Sequence, residues 1–271
     1  MAKDQTFNIT ADGNEGGLYW QEGFMGSHDN PYKTANTFLW VGHLCSSGDY
    51  PLNIVAEIFL RFTNITIPRG ATITNAKITL TTIDSAASTG TPNLDIQACD
   101  EDNSAEMTGT EVQDGTMTAD IMSRVRTTAN VNWSQSFSND TVYETPDIKT
   151  VVQEVIDRAG WASGNAMQFI ISDHTYKYRT YPTSEVSNEV QFDADSVTNI
   201  SINIDYTYYD SGLRIYKGGV KKIGCYSSTS GRTSKLRTYK GGVKHIAFDS
   251  NLDSGLRVYD GSQAQVIATA D

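Results

Sequence analysis

The chain of 271 residues has few of the features that mark an exported, membrane-spanning or catalytic protein. Its three cysteines, Cys45, Cys99 and Cys225, are odd in number and widely spaced, which argues against a disulfide framework and a structural zinc site. The N-terminus carries no apolar segment of the secretory type, and no apolar run approaches the roughly 18 residues of a membrane span. The HExxH, GxSxG and P-loop motifs are absent. We therefore expect a non-enzymatic protein that folds in a reducing cytoplasm and inserts into no membrane.

Acidic and basic residues are unevenly divided along the chain. The formal net charge is −11, from 21 Lys and Arg against 32 Asp and Glu. Residues 211–271 hold ten basic and four acidic residues, so their net charge is about +6 and that of the preceding part is about −17. Because acidic surfaces repel phosphate, the first part is not expected to bind nucleic acid. The basic part leaves that alternative open, but docking on an acidic protein surface is the simpler expectation.

Short β-type runs occupy residues 5–209. Thr, Ile and Val dominate these runs, and Gly, Asn, Asp and Ser separate them. Residues 199–206 alternate between apolar and polar side chains, and residues 167–172 are apolar enough for a buried central strand. Further runs with strand character are 54–62, 71–80 and 93–98. Many short strands with turns between them predict an all-β sandwich or barrel.

One segment has helical periodicity instead. Its apolar residues share one face of a helix: Ile148, Val151, Val152, Val155 and Ile156. Thr145, Pro146 and Asp147 before them suit an N-cap and a first turn, and Gly160 suits the C-terminal stop. These residues predict one short helix that closes one end of the core.

The C-terminal part repeats one unit three times. The copies begin at Leu213, Leu236 and Leu256, and each reads Leu-Arg-x-Tyr followed by a Gly-Gly or Asp-Gly turn. Each copy predicts a β-hairpin. An isolated hairpin is marginally stable in water, so the hairpins are expected to stack on each other, on the first part or on another chain. The expected docking residues are the arginine and tyrosine of each copy: Arg214, Tyr216, Arg237, Tyr239, Arg257 and Tyr259.

Several short sequence motifs within about residues 35–209 occur in the same order as in a known protein family. They are Arg61-Phe62, the turn Ile67-Pro68-Arg69-Gly70-Ala71, Trp133, Asp147 before the helix, Gly164-Asn165 and the final strand Ile200 to Tyr206. This pattern resembles a bacterial jelly-roll module family related to carbohydrate-binding modules. The resemblance implies a jelly-roll sandwich. The predicted organisation is an N-terminal arm and first strand (1–34), the sandwich (35–209) and a basic hairpin tail (210–271).

The hairpin repeats resemble those of structural proteins of tailed bacteriophages. Together the two resemblances imply a virion protein that is assembled in the host cytoplasm, displayed on the particle and joined to other virion proteins, as a homo-oligomer with a trimer as the expected form. The expected role is a tail-associated adhesin that binds host-surface glycan. A head decoration protein that stabilises the capsid is the first alternative, and a free carbohydrate-binding module is the second.

The segment Tyr176-Lys-Tyr178-Arg179-Thr-Tyr181 is the predicted glycan site, because tyrosine faces stack on sugar rings and cations bind their hydroxyl groups. The alternative is that these tyrosines are half-buried strand residues with wet hydroxyls. Trp20, Trp40, Trp133 and Trp161 are candidates for a glycan groove, but the favoured expectation for each is the core or a subunit interface.

The acidic segments Asp100-Glu101-Asp102 and Asp193 with Asp195 resemble loops that hold calcium, although they lack a fixed ligand spacing. The alternatives are a solvated acidic loop and a glycosidase carboxylate pair. Nothing in the sequence directs two of these acids into one cleft, so we expect no catalytic role and no cofactor beyond this possible structural calcium.

Overall fold

The computed structural model divides the chain into two compact units, Met1–Tyr208 and Tyr209–Asp271. In the first unit it describes residues 2–11, 14–23, 26–33, 38–46, 52–83, 90–107, 120–176, 187–194 and 200–208, and in the second it describes four short strands. Among these residues the protein is mostly β-strand with few helices and curled antiparallel sheets. The predicted all-β class is therefore confirmed.

The first unit contains twelve described strands and one helix longer than a single turn. Their bounds are β1 Ala2–Asn8, β2 Glu15–Gly23, β3 Gly26–Lys33, β4 Phe38–Ser46, β5 Leu52–Ile65, β6 Thr72–Thr81, β7 Asn93–Ala98, β8 Val131–Ser134, β9 Val142–Glu144, α1 Lys149–Ile156, β10 Asn165–Asp173, β11 Asn188–Asp193 and β12 Ser201–Thr207. Residues 120–123 form one helical turn.

These strands form a small and a large antiparallel sheet. The small sheet has the order β1-β12-β6-β9, and the large sheet has the order β11-β4-β5-β10-β7-β8, with β2 paired to both β5 and β3. The long strand β5 joins β2, β4 and β10. A bridge between Thr82 and Phe192, with a bond from Ile83 N to Gln191 O of 3.2 Å, connects β6 to β11. The two sheets are therefore joined where β6 ends. Residues 1–34, expected to form an arm and a first strand, supply β1, β2 and β3.

The core contains side chains from both sheets and from the helix. Strand β12 alternates between half-buried polar residues and the fully buried Ile202, Ile204 and Tyr206. Strand β10 is buried along nearly its whole length, between β5 and β7. The predicted strands at 54–62, 71–80, 93–98, 167–172 and 199–206 are confirmed within β5, β6, β7, β10 and β12. Their apolar periodicity identified the core face because burial follows the period of the strand.

The predicted helix is confirmed as α1, and its buried residues are Val151, Val152, Val155 and Ile156. Its ends differ from the prediction. Ile148 occupies the N-cap position without a side-chain cap, whereas the Thr145 hydroxyl accepts a bond from Ile78 N at 3.0 Å. Asp147 Oδ1 accepts bonds from both Lys149 N and Ala76 N at 3.0 Å. These residues tie the helix to β6, since the free backbone groups of the strand needed partners.

The expectation that Gly160 stops the helix is wrong. The helix ends at Ile156, and Asp157 is its C-cap with right-handed backbone angles. The reason for glycine at position 160 is a close approach: a Cβ atom there would lie 2.0 Å from Asp102 Oδ2. The loop that carries Asp102 therefore packs directly on the residues that follow the helix.

The described parts of the second unit are two two-stranded sheets. Strands β13 (Arg237–Tyr239) and β14 (Val243–His245) pair with each other, as do β15 (Leu256–Tyr259) and β16 (Ala264–Ala268). The first repeat, which begins at Leu213, lies outside the described residues. The three-hairpin tail and the jelly-roll topology therefore stay predictions. Among the described residues, no helix is both long and apolar enough to cross a membrane.

Candidate functional site

Two His–Asp pairs lie where the central strand β10 ends. The strand runs through the core up to Asp173, and His174 follows directly. Because consecutive strand residues point to opposite faces, the two side chains leave β10 on different sides. Each side chain finds a partner of the complementary type on another strand. This end of the large sheet immediately precedes the tyrosine-rich segment 176–181.

The first pair is buried. The His43 Nδ1 atom on β4 lies 2.7 Å from Asp173 Oδ2, and the two side chains are only 6% and 2% exposed. The preceding residue, Gly42, has a φ of +110° and lets β11 lie close to β4, since a Cβ there would lie 2.3 Å from Asn188 O. A buried carboxylate needs charge or hydrogen-bond partners, and the His43 imidazole supplies one of them.

The same carboxylate organises the chain that follows β10. Asp173 Oδ1 accepts bonds from Thr175 N at 2.8 Å and Tyr176 N at 2.7 Å, which is the pattern of an Asx turn. The ring of Tyr176 packs edge-on against the ring of His43, with 4.6 Å between centroids and an angle of 72° between planes. The first tyrosine of segment 176–181 is therefore fixed to the scaffold at both its backbone and its ring.

The second pair is exposed on its imidazole side. His174 Nδ1 lies 2.7 Å from Asp95 Oδ1 on β7, and the side chains are 50% and 7% exposed respectively. The backbone is held as well, since His174 N donates to Asn93 O at 2.9 Å. A buried carboxylate thus orients an imidazole that faces solvent, which is how proteins fix a histidine that must contact a ligand.

Polar residues surround this second pair. In the register of the large sheet, Asp95 is opposite Asn132 and Asn93 is opposite Ser134. Asn132 and Ser134 on β8 are exposed, and Asn93 is half-buried. We call this group, Asn93, Asp95, Asn132, Ser134 and His174, the His174 patch. Its residues lie on one face of three adjacent strands, because their positions differ by two along each strand.

A thiol near the buried pair is not set up as a nucleophile. Burial raises the pKa of the Cys45 thiol, and the charge of Asp173 raises that pKa further. Reactive cysteines have a lowered pKa, because the thiolate is the nucleophile. Although His43, Cys45 and Asp173 are residue types found in cysteine hydrolases, their electrostatics keep this thiol in its neutral form.

Of the predicted glycan residues, the structure describes Tyr176, which is half-buried. It follows the end of β10 rather than lying within a strand. Tyr178, Arg179 and Tyr181 lie outside the described residues, so their predicted role stays a prediction.

The tryptophans divide between core and periphery. Trp20, Trp133 and Trp161 are 3%, 2% and 3% exposed, so each is buried. Trp133 stacks on Phe192 at 5.8 Å, and Trp161 Nε1 donates to Ile67 O at 3.0 Å. Trp40 is half-buried against Tyr19. The core interpretation is therefore confirmed for the three buried tryptophans.

The predicted calcium residues have arginine partners. Arg158 contacts Asp100 and donates from Nε to Asp102 Oδ1 at 2.8 Å, and its hydrogen bonds to these carboxylates raise the pKa of Arg158. Glu101 Oε2 lies 3.7 Å from Arg124 Nη1. Within the described part of the chain, no three His, Cys, Asp or Glu side chains are grouped to hold a metal ion. The calcium site stays a prediction, and the guanidinium of Arg158 already provides positive charge beside Asp100 and Asp102.

The predicted docking residues belong to the second unit. Arg237 and Tyr239 lie in β13, and Arg257 and Tyr259 lie in β15. Arg214 and Tyr216 lie outside the described residues. Their docking role stays a prediction.

Sequence reasoning did not identify the four residues of the two pairs. His43 and Asp173 are 130 positions apart, and Asp95 and His174 are 79 apart. The available signal was the Asp-His dipeptide directly after the most apolar strand, together with an aspartate inside the alternating run 93–98. Neither signal identifies which residue pairs with the histidine or the aspartate, because the pairing depends on which strands are neighbours in the sheet.

In comparisons with known proteins, no protein-family model and no curated protein matches the chain.

Proposed function

We propose that the chain is a non-enzymatic virion protein of a tailed phage that binds host-surface glycan at the end of β10. The observation that carries the proposal is the fixed junction at Asp173 and His174. It holds Tyr176 against His43 and displays an oriented imidazole beside exposed amide and hydroxyl groups. Tyr178, Arg179 and Tyr181, which lie outside the described residues, belong to the proposed site on the sequence pattern alone.

This arrangement suits sugar recognition because a sugar offers hydroxyl groups and apolar ring faces together. Such ligands bind best when the protein groups are ordered beforehand, since side-chain ordering otherwise reduces affinity. The two backbone bonds to Asp173 and the Asp95 carboxylate provide this order without a bound ligand. The proposed fold of this unit is the jelly roll that its sequence resembles.

The basic C-terminal part is the proposed attachment to other virion proteins. Residues 211–271 carry a net charge of about +6 and the preceding residues about −17. Hairpins of two strands need a supporting surface, and an acidic protein surface of the particle would supply it. We further propose a homo-oligomer, with a trimer as the simplest tail assembly, located in the virion.

The experiment is a binding assay with the full chain and with particles that lack it. We expect the purified full chain to bind host cells and to compete with the particles for attachment. If the chain binds no cells and another virion protein accounts for attachment, the adhesin function is wrong. In parallel, deletion of residues 211–271 should leave a folded chain that no longer joins particles, and normal assembly of that variant would refute the docking role.

A head decoration protein is the second candidate. The basic hairpins favour it because they could dock on the capsid, and capsid docking requires no glycan site. The two candidates differ in copy number. Hundreds of copies per particle, counted against the major capsid protein, would indicate decoration, whereas a few to a few dozen would indicate a tail protein. A free carbohydrate-binding module, the third candidate, would be absent from particles altogether.

A further inference from the structure

The hydrogen bonds of the His174 patch determine which of its atoms can meet a ligand. The Asp95 carboxylate is an acceptor, so the 2.7 Å contact at His174 Nδ1 places the proton of the neutral ring on that nitrogen. The other ring nitrogen, Nε2, then carries a lone pair. It has no partner among the described residues, and the side chain is 50% exposed. His174 therefore offers a hydrogen-bond acceptor to solvent.

The two asparagines of the patch are oriented in the same way. Asn132 Nδ2 donates to Asn93 Oδ1 at 2.7 Å and to Leu94 O at 3.1 Å, so both of its amide hydrogens are engaged. The Oδ1 atom of Asn132 is left as an acceptor, and the Nδ2 group of Asn93 is left as a donor. Within the described part of the chain, neither atom has another partner.

These three groups lie on adjacent strands. His174 follows β10, Asn93 begins β7 and Asn132 is on β8, and β7 pairs with both neighbours. Two interstrand spacings separate the outer groups, which is about 10 Å. The patch therefore presents two acceptors and one donor on one face of the large sheet, at the end of β10.

We propose that the His174 patch binds neutral, polyhydroxylated ligands, with His174 Nε2 and Asn132 Oδ1 accepting from sugar hydroxyls and Asn93 Nδ2 donating to one. A hydroxyl group can donate and accept, so neighbouring hydroxyls of one sugar satisfy both kinds of group. Carboxylate and phosphate only accept, and the two acceptors would face their charge without a bond. Asp95 is a positioning residue, because it acts through the His174 ring. This inference rests on the proposed glycan binding and names the ligand class of that site.

The test titrates the full chain, labelled with ¹⁵N, with methyl glycosides of neutral hexoses and, separately, with methyl glucuronide. We expect a neutral glycoside to shift the side-chain amide signals of Asn93 and Asn132 and to bind more tightly than the glucuronide. His174→Ala should weaken that binding about tenfold, the loss of one hydrogen bond of roughly 1.4 kcal/mol. His174→Gln should restore part of the affinity, since its amide oxygen can replace the imidazole acceptor.

Asn203→Ala is the matched control. This variant removes a half-buried amide from the small sheet, where Asn203 donates to Asp4, and its affinity should equal that of the parent. A second readout needs no ligand: the imidazole ¹⁵N shifts of His174 should report a protonated Nδ1. Asp95→Asn should populate the other tautomer. Thermal melting of each variant separates lost binding from lost folding.

The outcomes separate the two proposals. If neutral glycosides bind and His174→Ala leaves their affinity unchanged, the patch assignment is overturned while glycan binding stands. A protonated Nε2 in the parent, or tighter binding of the glucuronide, also overturns it. If no glycoside and no host glycan binds the full chain, both the patch and the glycan-binding function are refuted.

Discussion

The two His–Asp pairs at the end of β10 have the same bond length but different surroundings. Each has an imidazole Nδ1 atom 2.7 Å from a buried carboxylate oxygen. The imidazole of His43 is 6% exposed, whereas that of His174 is 50% exposed. The comparison shows that hydrogen-bond chemistry alone does not assign a role, because burial decides which groups the ring can meet.

Because the two pairs differ in burial, loss of one partner is expected to have different consequences in each. Loss of one partner in the Asp173 pair would leave a charge or a polar ring without compensation in the protein interior. Loss of the His174 ring would instead open Asp95 to water, because that ring is itself 50% exposed and covers the otherwise buried carboxylate. The buried pair is therefore expected to dominate stability, and the exposed pair is expected to matter mainly for binding.

The largest effect is expected for Asp173→Ala. The variant removes the partner of His43 and the acceptor of the Thr175 and Tyr176 amides. We expect a loss of about 3–5 kcal/mol in the free energy of unfolding, measured by urea denaturation. A loss below about 1 kcal/mol would show that the buried pair contributes little.

The next effect concerns the glycine that precedes His43. In Gly42→Ala, the added Cβ would lie 2.3 Å from the backbone oxygen of Asn188, and φ would remain at +110°. Gly70→Ala is the matched control, since its φ is also positive but nothing lies within 4 Å of its Cβ position. Both variants carry backbone strain of about 1–3 kcal/mol. Gly42→Ala should lose about 2 kcal/mol more than the control, and equal losses would refute the close approach at Gly42.

Replacement of each histidine by glutamine compares the pairs directly. His43→Gln should lower the free energy of unfolding by about 2 kcal/mol, because it leaves buried Asp173 with an imperfect partner. His174→Gln should lower it by less than about 0.5 kcal/mol, in the range of exposed ion pairs. Chemical denaturation of both variants measures the difference. A larger loss for His174→Gln would reverse the assigned roles.

The smallest effect is expected at Glu189, which lies beside the buried pair on β11. Burial raises the pKa of this carboxyl, and its bond with the Trp40 indole and the charge of His43 only partly lower it. The folded protein thus holds the Glu189 proton more tightly than the unfolded chain does. Its contribution to stability is lost as the pH rises from about 4.3, the value of an unfolded carboxyl, through the raised folded value.

Glu189→Gln should therefore have a slightly higher melting temperature than the parent at pH 7. The difference should disappear below pH 4, where the parent carboxyl is protonated in both states. Melting curves at several pH values measure this trend. A lower melting temperature for the variant at pH 7 would contradict it.

Residues whose environment is periodic were predictable from sequence. The alternation in 199–206 and the spacing of Val151, Val152 and Val155 reflect one buried face each, so local pattern identified β12 and α1. The end of the helix was not predictable. Glycine is present at position 160 because the Asp102 carboxylate packs closely against it, and Asp102 is distant in sequence. The His–Asp pairs were not predicted for the same reason: each pair joins residues that are distant in sequence, and only the order of strands in the sheet brings them together.

The most direct test is the binding of the 271-residue chain to an array of neutral and acidic glycans, compared between the parent and His174→Ala. We predict that the parent binds neutral, hydroxyl-rich glycans and that His174→Ala loses most of that signal while keeping the parent's melting temperature. Exclusive binding of acidic glycans, or binding of none, would contradict it.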